Sequence, residues 1–387
     1  MAVLRCTIRR PVHLIAAWAS EWAHLPLRLA GRLVAPGQPV PPHAWRKVLL
    51  LGADHIGDVL WLTASLPALK RGLPKARLVM TVSGPAAQVV ENNPYVDDIV
   101  RMPPAARGAE AIAALRTVHA DAAICYDTGA YVQSLQRVLR AGIPNRIAYV
   151  HKGFSAWVTH PVAIQFPQPH PAYFRDLVAQ VTGTAPDWPL RPQVFPVPSD
   201  DREAANLWAE LRLTDDRPVL ACFVTSRQVA GAWPSDVFGR ILAVAQAQCP
   251  VQLVLMGATG EAPMLAELKV RHRLSAEIAA GRLNLRALSV FLRRCNLVLA
   301  ADSGPRHVAN AAGVPVTFIR NLWARHIETG AYLDTETDLA PDLAEVDPGD
   351  ASKWQRLLDP EYAATRIISL LGSAPRPQPS GFQPALE

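Results

Sequence analysis

The sequence has few cysteines, and they lie far apart. Its five cysteines are scattered between Cys6 and Cys295 in a chain of 387 residues, with no C-x-x-C pair and no neighbouring histidines at zinc spacing. An odd, dispersed set argues against a disulfide framework and against a structural zinc site. The pattern predicts buried thiols in a reducing cytoplasm.

Dense basic runs with interleaved aromatic residues are also missing. The net charge of +6 fits an anionic ligand, a nucleic acid or an acidic membrane surface, and the charge alone does not choose among them. Because no Lys/Arg cluster is built around aromatic side chains, we expect no nucleic-acid partner.

The sequence offers no uninterrupted apolar run near its start. Residues 1–45 form an extension in which Arg5, Arg9 and Arg10 precede a tryptophan-bearing apolar stretch that polar residues and Pro26 interrupt. It is a poor transmembrane helix and, without a small-residue cleavage site, a weak signal peptide. A basic amphipathic segment of this kind favours an anionic membrane surface. A helix packed on the body and a loose tail are the alternatives.

From Lys47 onwards the sequence alternates apolar strands with amphipathic helices. With 50% hydrophobic and 19% charged residues the chain is globular, and its length predicts two domains. Strands separated by helices predict βαβ units, parallel sheets and an α/β fold. The predicted parts are an extension (1–45), two Rossmann-like domains (46–190 and 191–372) and a disordered tail (373–387). Two such domains facing each other would form a cleft between the carboxyl ends of their sheets.

The alternation also predicts individual helices, strands and loops. Val59–Arg71 is predicted as one helix, Pro161–Pro198 as loops with a helix near Tyr173–Thr182, and Val314–Ile319 as the last strand.

The stretch Lys47–Pro67 combines a strand, a glycine-punctuated turn and a helix. Gly52 and Gly57 have P-loop spacing, but Asp58 stands where that motif needs lysine, and Asp54 occupies the second glycine position of the dinucleotide fingerprint. The loop therefore presents a carboxylate to something other than a phosphate. The alternative is that Asp58 is a helix N-cap or an ordinary acid of a first helical turn.

Two further stretches join a strand to a helix. In Ala301–His307, the segment of Ser303 and Gly304 can direct backbone N–H groups and a hydroxyl toward an anion. The alternative is that Ser303 caps the helix and His307 is a packed histidine. In Val224–Pro234, the side chains of Thr225, Ser226 and Arg227 suit a diphosphate. The alternative here is a surface loop.

Taken together, these stretches resemble the ADP-heptose:lipopolysaccharide heptosyltransferases of glycosyltransferase family nine. The resemblance runs from about Lys47 to Tyr332. It is carried by four motifs in order: G-D-V-L-W-L-T-A-S-L-P-A-L-K-R (Gly57–Arg71), N-N-P-Y-V-D (Asn92–Asp97), W-P (Trp233–Pro234) and D-S-G-P-R-H (Asp302–His307).

The resemblance implies a GT-B architecture and an inverting transfer that uses no metal and no cofactor. Asp58 corresponds to the catalytic base, within an acceptor-side loop that includes His55 and Gly57. The implied donor and phosphate site comprises Thr225, Ser226, Arg227, Asp302, Ser303, Gly304 and His307. The first domain would then hold the acceptor and the second the donor.

The implied substrates are a nucleotide sugar, ADP-heptose, and a lipid-linked or oligosaccharide acceptor such as the lipopolysaccharide core. We expect a monomer in the cytoplasm, with peripheral contact to the anionic inner face of the inner membrane. A catalytically silent sugar-nucleotide-binding protein and a GT-B-like sugar-nucleotide epimerase are the alternatives.

The sequence departs from the family pattern in two places. The lysine usual before the W-P pair is replaced within V-A-G-A (Val229–Ala232), and either Arg227 or Arg320 is a candidate to supply its charge. The segment Arg320–Tyr332 also differs from the G-P-T-D-P run common in the family.

Overall fold

The computed structural model describes residues 39–51, 55–102, 108–126, 133–149, 157–165, 167–226, 233–321, 326–340 and 358–373. Helices and strands are numbered below in their order within these ranges. Arg227, the segment Val229–Ala232, residues 1–38 and residues 374–387 lie outside the described residues. The predictions made for them therefore stay predictions.

The chain divides into two compact units, which meet in sequence between Leu190 and Arg191. Each unit contains one six-stranded sheet in which every neighbouring pair of strands is parallel. This confirms the predicted α/β fold with two Rossmann-like parallel sheets.

Unit 1 alternates strands and helices from Lys47 onwards. Its strands are β1 (Lys47–Leu51), β2 (Arg77–Ser83), β3 (Asp98–Met102), β4 (Ala122–Cys125), β5 (Asn145–Tyr149) and β6 (His160–Val162). Its helices are α1 (Ile56–Thr63), α2 (Leu66–Gly72), α3 (Ala87–Val90), α4 (Ala109–Val118), α5 (Gln133–Ala141) and α6 (His170–Thr182). Short 3₁₀ turns span Pro42–Ala44 and Gly84–Ala86.

The sheet of unit 1 has the order β3-β2-β1-β4-β5-β6. Its central strands β1 and β4 read as continuous apolar runs because helices cover both faces of a parallel sheet, and Val48 to Leu51 are all buried. The order reverses between β1 and β4. In open α/β sheets the crevice at the carboxyl ends of two such strands is the place where ligands bind.

Unit 2 repeats the plan. Its strands are β7 (Val219–Phe223), β8 (Gln252–Met256), β9 (Ala276–Ile278), β10 (Leu297–Ala301), β11 (Val316–Ile319) and β12 (Glu336–Asp338). Its helices are α7 (Pro198–Glu210), α8 (Ser235–Gln248), α9 (Ala262–Arg271), α10 (Leu285–Arg293), α11 (Gly304–Ala312), α12 (His326–Thr329) and α13 (Pro360–Ser373). A 3₁₀ turn spans Thr259–Glu261.

The sheet of unit 2 has the order β12-β11-β10-β7-β8-β9, so its order reverses between β7 and β10. Both central strands are fully buried. The last helix, α13, packs its apolar side on the same core, where Ala363, Ile367 and Leu371 are buried. Each unit thus has one topological switch point, and the two switch points are where side chains able to bind a ligand are to be sought.

The structure corrects several predicted elements. The single helix predicted at Val59–Arg71 is two helices, because in a continuous helix the ring of Pro67 would clash with the carbonyl of Thr63. The proline-rich stretch also contains β6, which includes Pro161. This proline is tolerated because β6 is an edge strand. Strands β9 and β12 were not predicted, since three-residue strands carry too little periodicity. Helix α13, of 14 residues, was not predicted either.

Within the described ranges, no helix has both the length and the apolar character that crossing a membrane requires.

Candidate active site

The switch point of unit 2 brings two of the predicted loops together. Thr225 and Ser226 follow β7, and Asp302 and Ser303 follow β10. The hydroxyl of Ser226 donates a hydrogen bond to the carbonyl oxygen of Asp302 at 3.3 Å. Two segments separated by 76 residues in sequence thus form one surface at the carboxyl edge of the sheet.

The start of α11 is a candidate site for binding an anion. Ser303 is the N-cap residue, but among the described residues its side chain makes no capping bond, and its hydroxyl instead donates to the carbonyl of Ala301 at 3.3 Å. The prediction that Ser303 caps the helix through its side chain is therefore wrong. Pro305 has no N–H, and the N–H of Arg306 donates to the carbonyl of Ser303 at 3.1 Å. Of these three residues, it is Gly304 whose backbone N–H can be offered to a negative group, which the helix dipole also favours.

Asp302 is engaged by the protein itself. Its Oδ1 accepts from Nη1 of Arg306 at 3.1 Å, and the backbone N–H of Asn321 lies 3.4 Å from its Oδ2. Burial raises the pKa of Asp302, and the charge of Arg306 opposes that rise. Asp302 therefore joins the ends of β10 and β11 and fixes the loop in place.

Arg306 is the last residue but one of the D-S-G-P-R-H motif and lies in the first turn of α11, where its side chain is committed to contacts within unit 2. Its Nε donates to Glu336 at 2.6 Å, and its two terminal nitrogens donate to the carbonyls of Thr329 and Gly330 at 2.7 and 2.6 Å. Its guanidinium carbon lies 3.4 Å from the ring centroid of Phe318. Burial lowers the pKa of Arg306, but Glu336 and Asp302 outweigh it and the pKa is raised. Arg306 is thus a structural cation and not a phosphate ligand.

His307 is buried at 4% exposure and contacts Tyr332. Its Nδ1 lies 2.9 Å from the Tyr332 hydroxyl, and the same hydroxyl lies 2.9 Å from Nδ2 of Asn310. His307 is therefore packed, as the simpler prediction held, but it is packed within a polar network at the first turns of α11.

A carboxylate that the sequence analysis did not select also borders this edge. Glu261 accepts hydrogen bonds from the hydroxyl of Thr225 and, at 2.6 Å, from the backbone N–H of Ala258. Gly257 makes room for it, because a Cβ at this position would lie 2.3 Å from Oε2 of Glu261. The turn after β8 has the same strand–turn–helix pattern as the selected loops, and that pattern was the available signal.

Arg320 does not fit the role of the missing lysine. Arg320 is 1% exposed, and its Nε donates a hydrogen bond to Oδ2 of Asp338 at 2.8 Å. Its carbonyl accepts from Nε1 of Trp233 at 2.9 Å, so the tryptophan of the W-P pair holds the end of β11. Arg227, the other candidate, lies outside the described residues.

The switch point of unit 1 carries Asp58. Asp58 is the third residue of α1 and lies in its first turn, with partial exposure, and His55 is the N-cap residue without a side-chain capping bond among the described residues. Asp58 is thus a first-turn acid and not the N-cap. His55 is exposed and Gly57 is buried. On the other side of the switch point, Tyr126 follows β4, and its backbone N–H donates to Leu51 at 2.8 Å.

An aromatic cluster lies one helical turn beyond Asp58. The ring of His170 stacks on Trp61 with centroids 4.7 Å apart and planes 7° apart. The hydroxyl of Tyr126 donates to the carbonyl of His170 at 2.7 Å, which connects the cluster to the end of β4. Burial lowers the pKa of His170 to about 4, so its ring is neutral near pH 7. His170 was not predicted as a site residue, because its surroundings P-Q-P-H-P (Pro167–Pro171) suggested only loops.

The described residues contain no group of three or more His, Cys, Asp or Glu side chains arranged to hold a metal ion. Within unit 2, the structure brings together Thr225, Ser226, Asp302, Ser303, Gly304 and His307. Within unit 1, it places His55, Gly57 and Asp58 on one loop and helix start.

Comparison with solved structures places this fold among the GT-B glycosyltransferases. The chain is similar to a family 9 glycosyl transferase from Veillonella parvula (TM-score 0.73, 18% identity, covering 87% of this chain and 99% of that one). It is also similar to E. coli ADP-heptose lps heptosyltransferase II (0.64, 17%, 84% and 98%). A third similar structure is E. coli heptosyltransferase WaaC with ADP-2-deoxy-2-fluoro heptose (0.55, 17%, 80% and 99%). None of the curated protein sequences matches the chain.

The sequence model of glycosyltransferase family 9 (heptosyltransferase) matches residues 110–319, more than half of the chain. The chain therefore belongs to this family, and the protein is a glycosyltransferase. This confirms the resemblance drawn from the motifs.

Proposed function

We propose that this protein transfers heptose from ADP-heptose to the lipopolysaccharide core or a related surface glycan, with inversion at the anomeric carbon and without a metal ion. The observation that carries the proposal is the contrast between the two switch points. Neither helix start has a side-chain capping bond among the described residues. Unit 2 offers two hydroxyl side chains beside its helix start, which suits a diphosphate, whereas unit 1 offers the carboxylate of Asp58 in the first turn of its helix.

The donor belongs to unit 2 in this proposal. The diphosphate lies at the first turn of α11, where the N–H of Gly304 stabilises the charge that develops on the leaving group. The hydroxyls of Thr225 and Ser226 do so as well once they rotate away from Glu261 and the carbonyl of Asp302. Arg227 adds a guanidinium that binds phosphate oxygens in a fork. Glu261 is suited to accept hydrogen bonds from ribose hydroxyls, as acids at the edges of nucleotide-binding sheets do. Complexes of E. coli WaaC with ADP and with ADP-2-deoxy-2-fluoro heptose support this choice of donor.

The acceptor belongs to unit 1. Its hydroxyl oxygen attacks the anomeric carbon, the bond from that carbon to the β-phosphate oxygen breaks, and ADP leaves with the electron pair. The proton of the hydroxyl passes to the carboxylate of Asp58. A carboxylate in a first helical turn is stabilised as the anion, which makes it a weak base. Asp58 is therefore expected to accept the proton late in the transfer, and mainly to orient the acceptor hydroxyl.

We also propose that the protein is a monomer that works in the cytoplasm at the inner face of the inner membrane. The basic, tryptophan-bearing sequence of residues 1–45 is suited to an anionic lipid surface. Deletion of residues 1–40 should weaken binding to anionic vesicles and leave binding to neutral vesicles unchanged. Equal binding of the deleted and full-length chains to anionic vesicles would refute this part.

The transfer itself is tested with a panel of ADP-, GDP- and UDP-sugars and candidate core oligosaccharides, with nucleotide release as the readout. We expect release of ADP from ADP-heptose that depends on the acceptor and persists in EDTA. The anomeric configuration of the product, read by NMR, should be inverted. Asp58→Ala is the matched inactive variant.

Other outcomes distinguish the alternatives. Tight nucleotide-sugar binding without release in the presence of any acceptor would favour a silent binding protein. Conversion of the sugar without an acceptor would favour an epimerase. Loss of activity in EDTA that Mg²⁺ restores would contradict the proposed metal-independent mechanism.

A further inference from the structure

His170 is fixed at the carboxyl edge of the unit 1 sheet, next to the switch point. The hydroxyl of Tyr126, which directly follows β4, donates to the carbonyl of His170 at 2.7 Å. The imidazole ring stacks on Trp61 and meets the ring of Tyr173 edge-on, with centroids 5.9 Å apart. Trp61 lies three residues after Asp58 on α1, and residues at this spacing are neighbours on a helix surface. The ring of His170 is therefore held beside the carboxylate that the proposed function uses.

The two nitrogens of this ring differ in their surroundings. Nδ1 is buried and has no hydrogen-bond partner among the described residues. Nε2 also makes no hydrogen bond to a described residue, but it is not buried, and His170 is partly exposed. Burial lowers the pKa of His170 to about 4, so near pH 7 the ring carries a single proton.

The position of that proton follows from the burial of Nδ1. On Nδ1 the proton would be a buried donor without an acceptor, an arrangement that is rare in folded proteins because it loses the hydrogen bond to water. On Nε2 the proton is open to solvent or to a ligand. His170 therefore presents a neutral N–H group at Nε2, next to the aromatic surface of Trp61.

A neutral N–H group selects its ligands by their charge. Phosphate oxygens are bound most strongly by cations such as a guanidinium group, and the ring of His170 is uncharged near pH 7. Hydroxyl and ring oxygens of a sugar need a neutral donor, and the aromatic surroundings keep competing water away from such a bond. The chemistry of this position therefore suits a sugar better than a phosphate.

From this geometry we infer that His170 binds the acceptor glycan, with its Nε2–H donating a hydrogen bond to an oxygen atom of the acceptor sugar beside Asp58. The inference rests on the proposed function, in which the acceptor belongs to unit 1. The hydrogen bond orients the sugar so that its reacting hydroxyl lies at the carboxylate of Asp58. Because Nε2 already holds a proton and Nδ1 is buried, His170 does not take the proton of that hydroxyl, and Asp58 keeps this role.

The proton position is measured directly and without substrate. The full-length protein is labelled with ¹⁵N-histidine, and long-range ¹H–¹⁵N spectra are recorded at about pH 8, where histidine is ordinarily neutral. Comparison with His170→Phe identifies the His170 signals. We expect Nε2 to be protonated and Nδ1 to be unprotonated. A signal that shows the proton on Nδ1 overturns the inference.

Contact with the acceptor is measured by the same spectra. ADP alone and a core oligosaccharide that supports ADP release by the wild type are added to separate samples. We expect the oligosaccharide to shift the Nε2 signal of His170 and ADP to leave it unchanged. ADP release without such a shift, or a shift caused by ADP alone, refutes the inference and leaves the proposed function intact. The absence of ADP release with every acceptor refutes the proposed function, and the inference with it.

The contribution of the hydrogen bond is measured by steady-state kinetics. His170→Phe keeps a ring on Trp61 and removes the N–H, so the KM for the acceptor should rise about fivefold, the effect of one hydrogen bond. The KM for ADP-heptose should not change. His170→Gln carries an amide N–H, and its acceptor KM should be lower than that of His170→Phe. An unchanged acceptor KM in His170→Phe, or an equal rise of both KM values, refutes the inference.

The matched control is His160→Phe. His160 is the first residue of β6, at the amino edge of the same sheet, and its ring packs against Trp45 with centroids 5.1 Å apart. The substitution also replaces a histidine on a tryptophan by phenylalanine, but away from the switch point, so both KM values should equal those of the wild type. Melting temperatures establish that each variant is folded. A rise of the acceptor KM as large as that in His170→Phe would show a general effect on unit 1 and refute the inference.

Discussion

Two buried arginines, Arg306 of unit 2 and Arg146 of unit 1, are held in different ways. In unit 2, Arg306 pairs with Glu336 and Asp302 next to the switch point. In unit 1, Arg146 donates to the carbonyls of Trp157, Ile143 and Pro144 at 2.6 to 2.8 Å, and no carboxylate among the described residues pairs with it. Burial lowers the pKa of Arg146, whereas acidic partners raise that of Arg306.

The residues around the two switch points also differ in charge. Unit 2 places buried ionic groups behind its candidate site, and unit 1 places the Trp61–His170 stack beside Asp58. Paired buried charges have few alternative arrangements, so they keep an anion site in one geometry. An aromatic cluster excludes water without imposing charge, which suits a site for a neutral sugar hydroxyl. The switch point of unit 2 therefore has a rigid, charge-paired surrounding, and that of unit 1 has an apolar one.

The largest expected effect comes from Arg306→Met. It leaves Glu336 and Asp302 buried without their cation and should destabilise unit 2 by about 3–5 kcal/mol. Arg146→Met is the matched variant and leaves only neutral carbonyls unsatisfied, which costs about 1–3 kcal/mol. Urea unfolding of both variants measures the difference. Equal losses would mean that the ionic partners of Arg306 contribute nothing beyond its hydrogen bonds.

Asp58→Asn should slow the transfer strongly and change the stability little. It retains the shape of a half-exposed side chain, so we expect a stability close to that of the wild type, but transfer should slow by about 10²–10⁴-fold because the proton acceptor is lost. ADP affinity should not change. Single-turnover rates and calorimetry separate these quantities. A variant that transfers at the wild-type rate would remove Asp58 from the mechanism.

His170 predicts an acid-sensitive step confined to unit 1. Its pKa is about 4 in the folded protein and ordinarily about 6.5, so the unfolded chain binds more protons between these values. The contribution of neutral His170 to the free energy of unfolding is present above pH 6.5 and is lost as the pH falls toward 4, by about 3 kcal/mol. His170→Phe keeps a ring on Trp61 and should flatten this pH dependence. Parallel pH profiles for variant and wild type would contradict the assignment.

The smallest effect is expected for Ser226→Ala. The lost hydrogen bond to the carbonyl of Asp302 is 3.3 Å long and partly exposed, so unfolding should become easier by only about 0.5 kcal/mol. The affinity for ADP should fall more than the stability if Ser226 also contacts the diphosphate. An unchanged affinity, measured by calorimetry, would restrict Ser226 to joining the two loops.

Much of this arrangement could be predicted from the sequence, because apolar strands and amphipathic helices have distinct periods. That alternation predicted the two parallel sheets, and the turns after β1, β7 and β10 were selected because they lie between a strand and a helix. Partners brought in from distant segments could not be predicted. Glu336 lies 30 residues from Arg306, in a three-residue strand without periodicity, and His170 contacts Trp61 across more than a hundred residues. The alternative for Ser303, that its side chain caps the helix, was reasonable because a serine before a helix usually does so, but its hydroxyl donates to the carbonyl of Ala301 instead.

The division between donor and acceptor sides is tested most directly by hydrogen–deuterium exchange of the full-length protein with and without ADP. The account predicts that ADP slows exchange most strongly in the first turn of α11 and in the segment after β7, with little change in α1. Protection greatest at residues 55–63, or no protection by ADP anywhere, would contradict it.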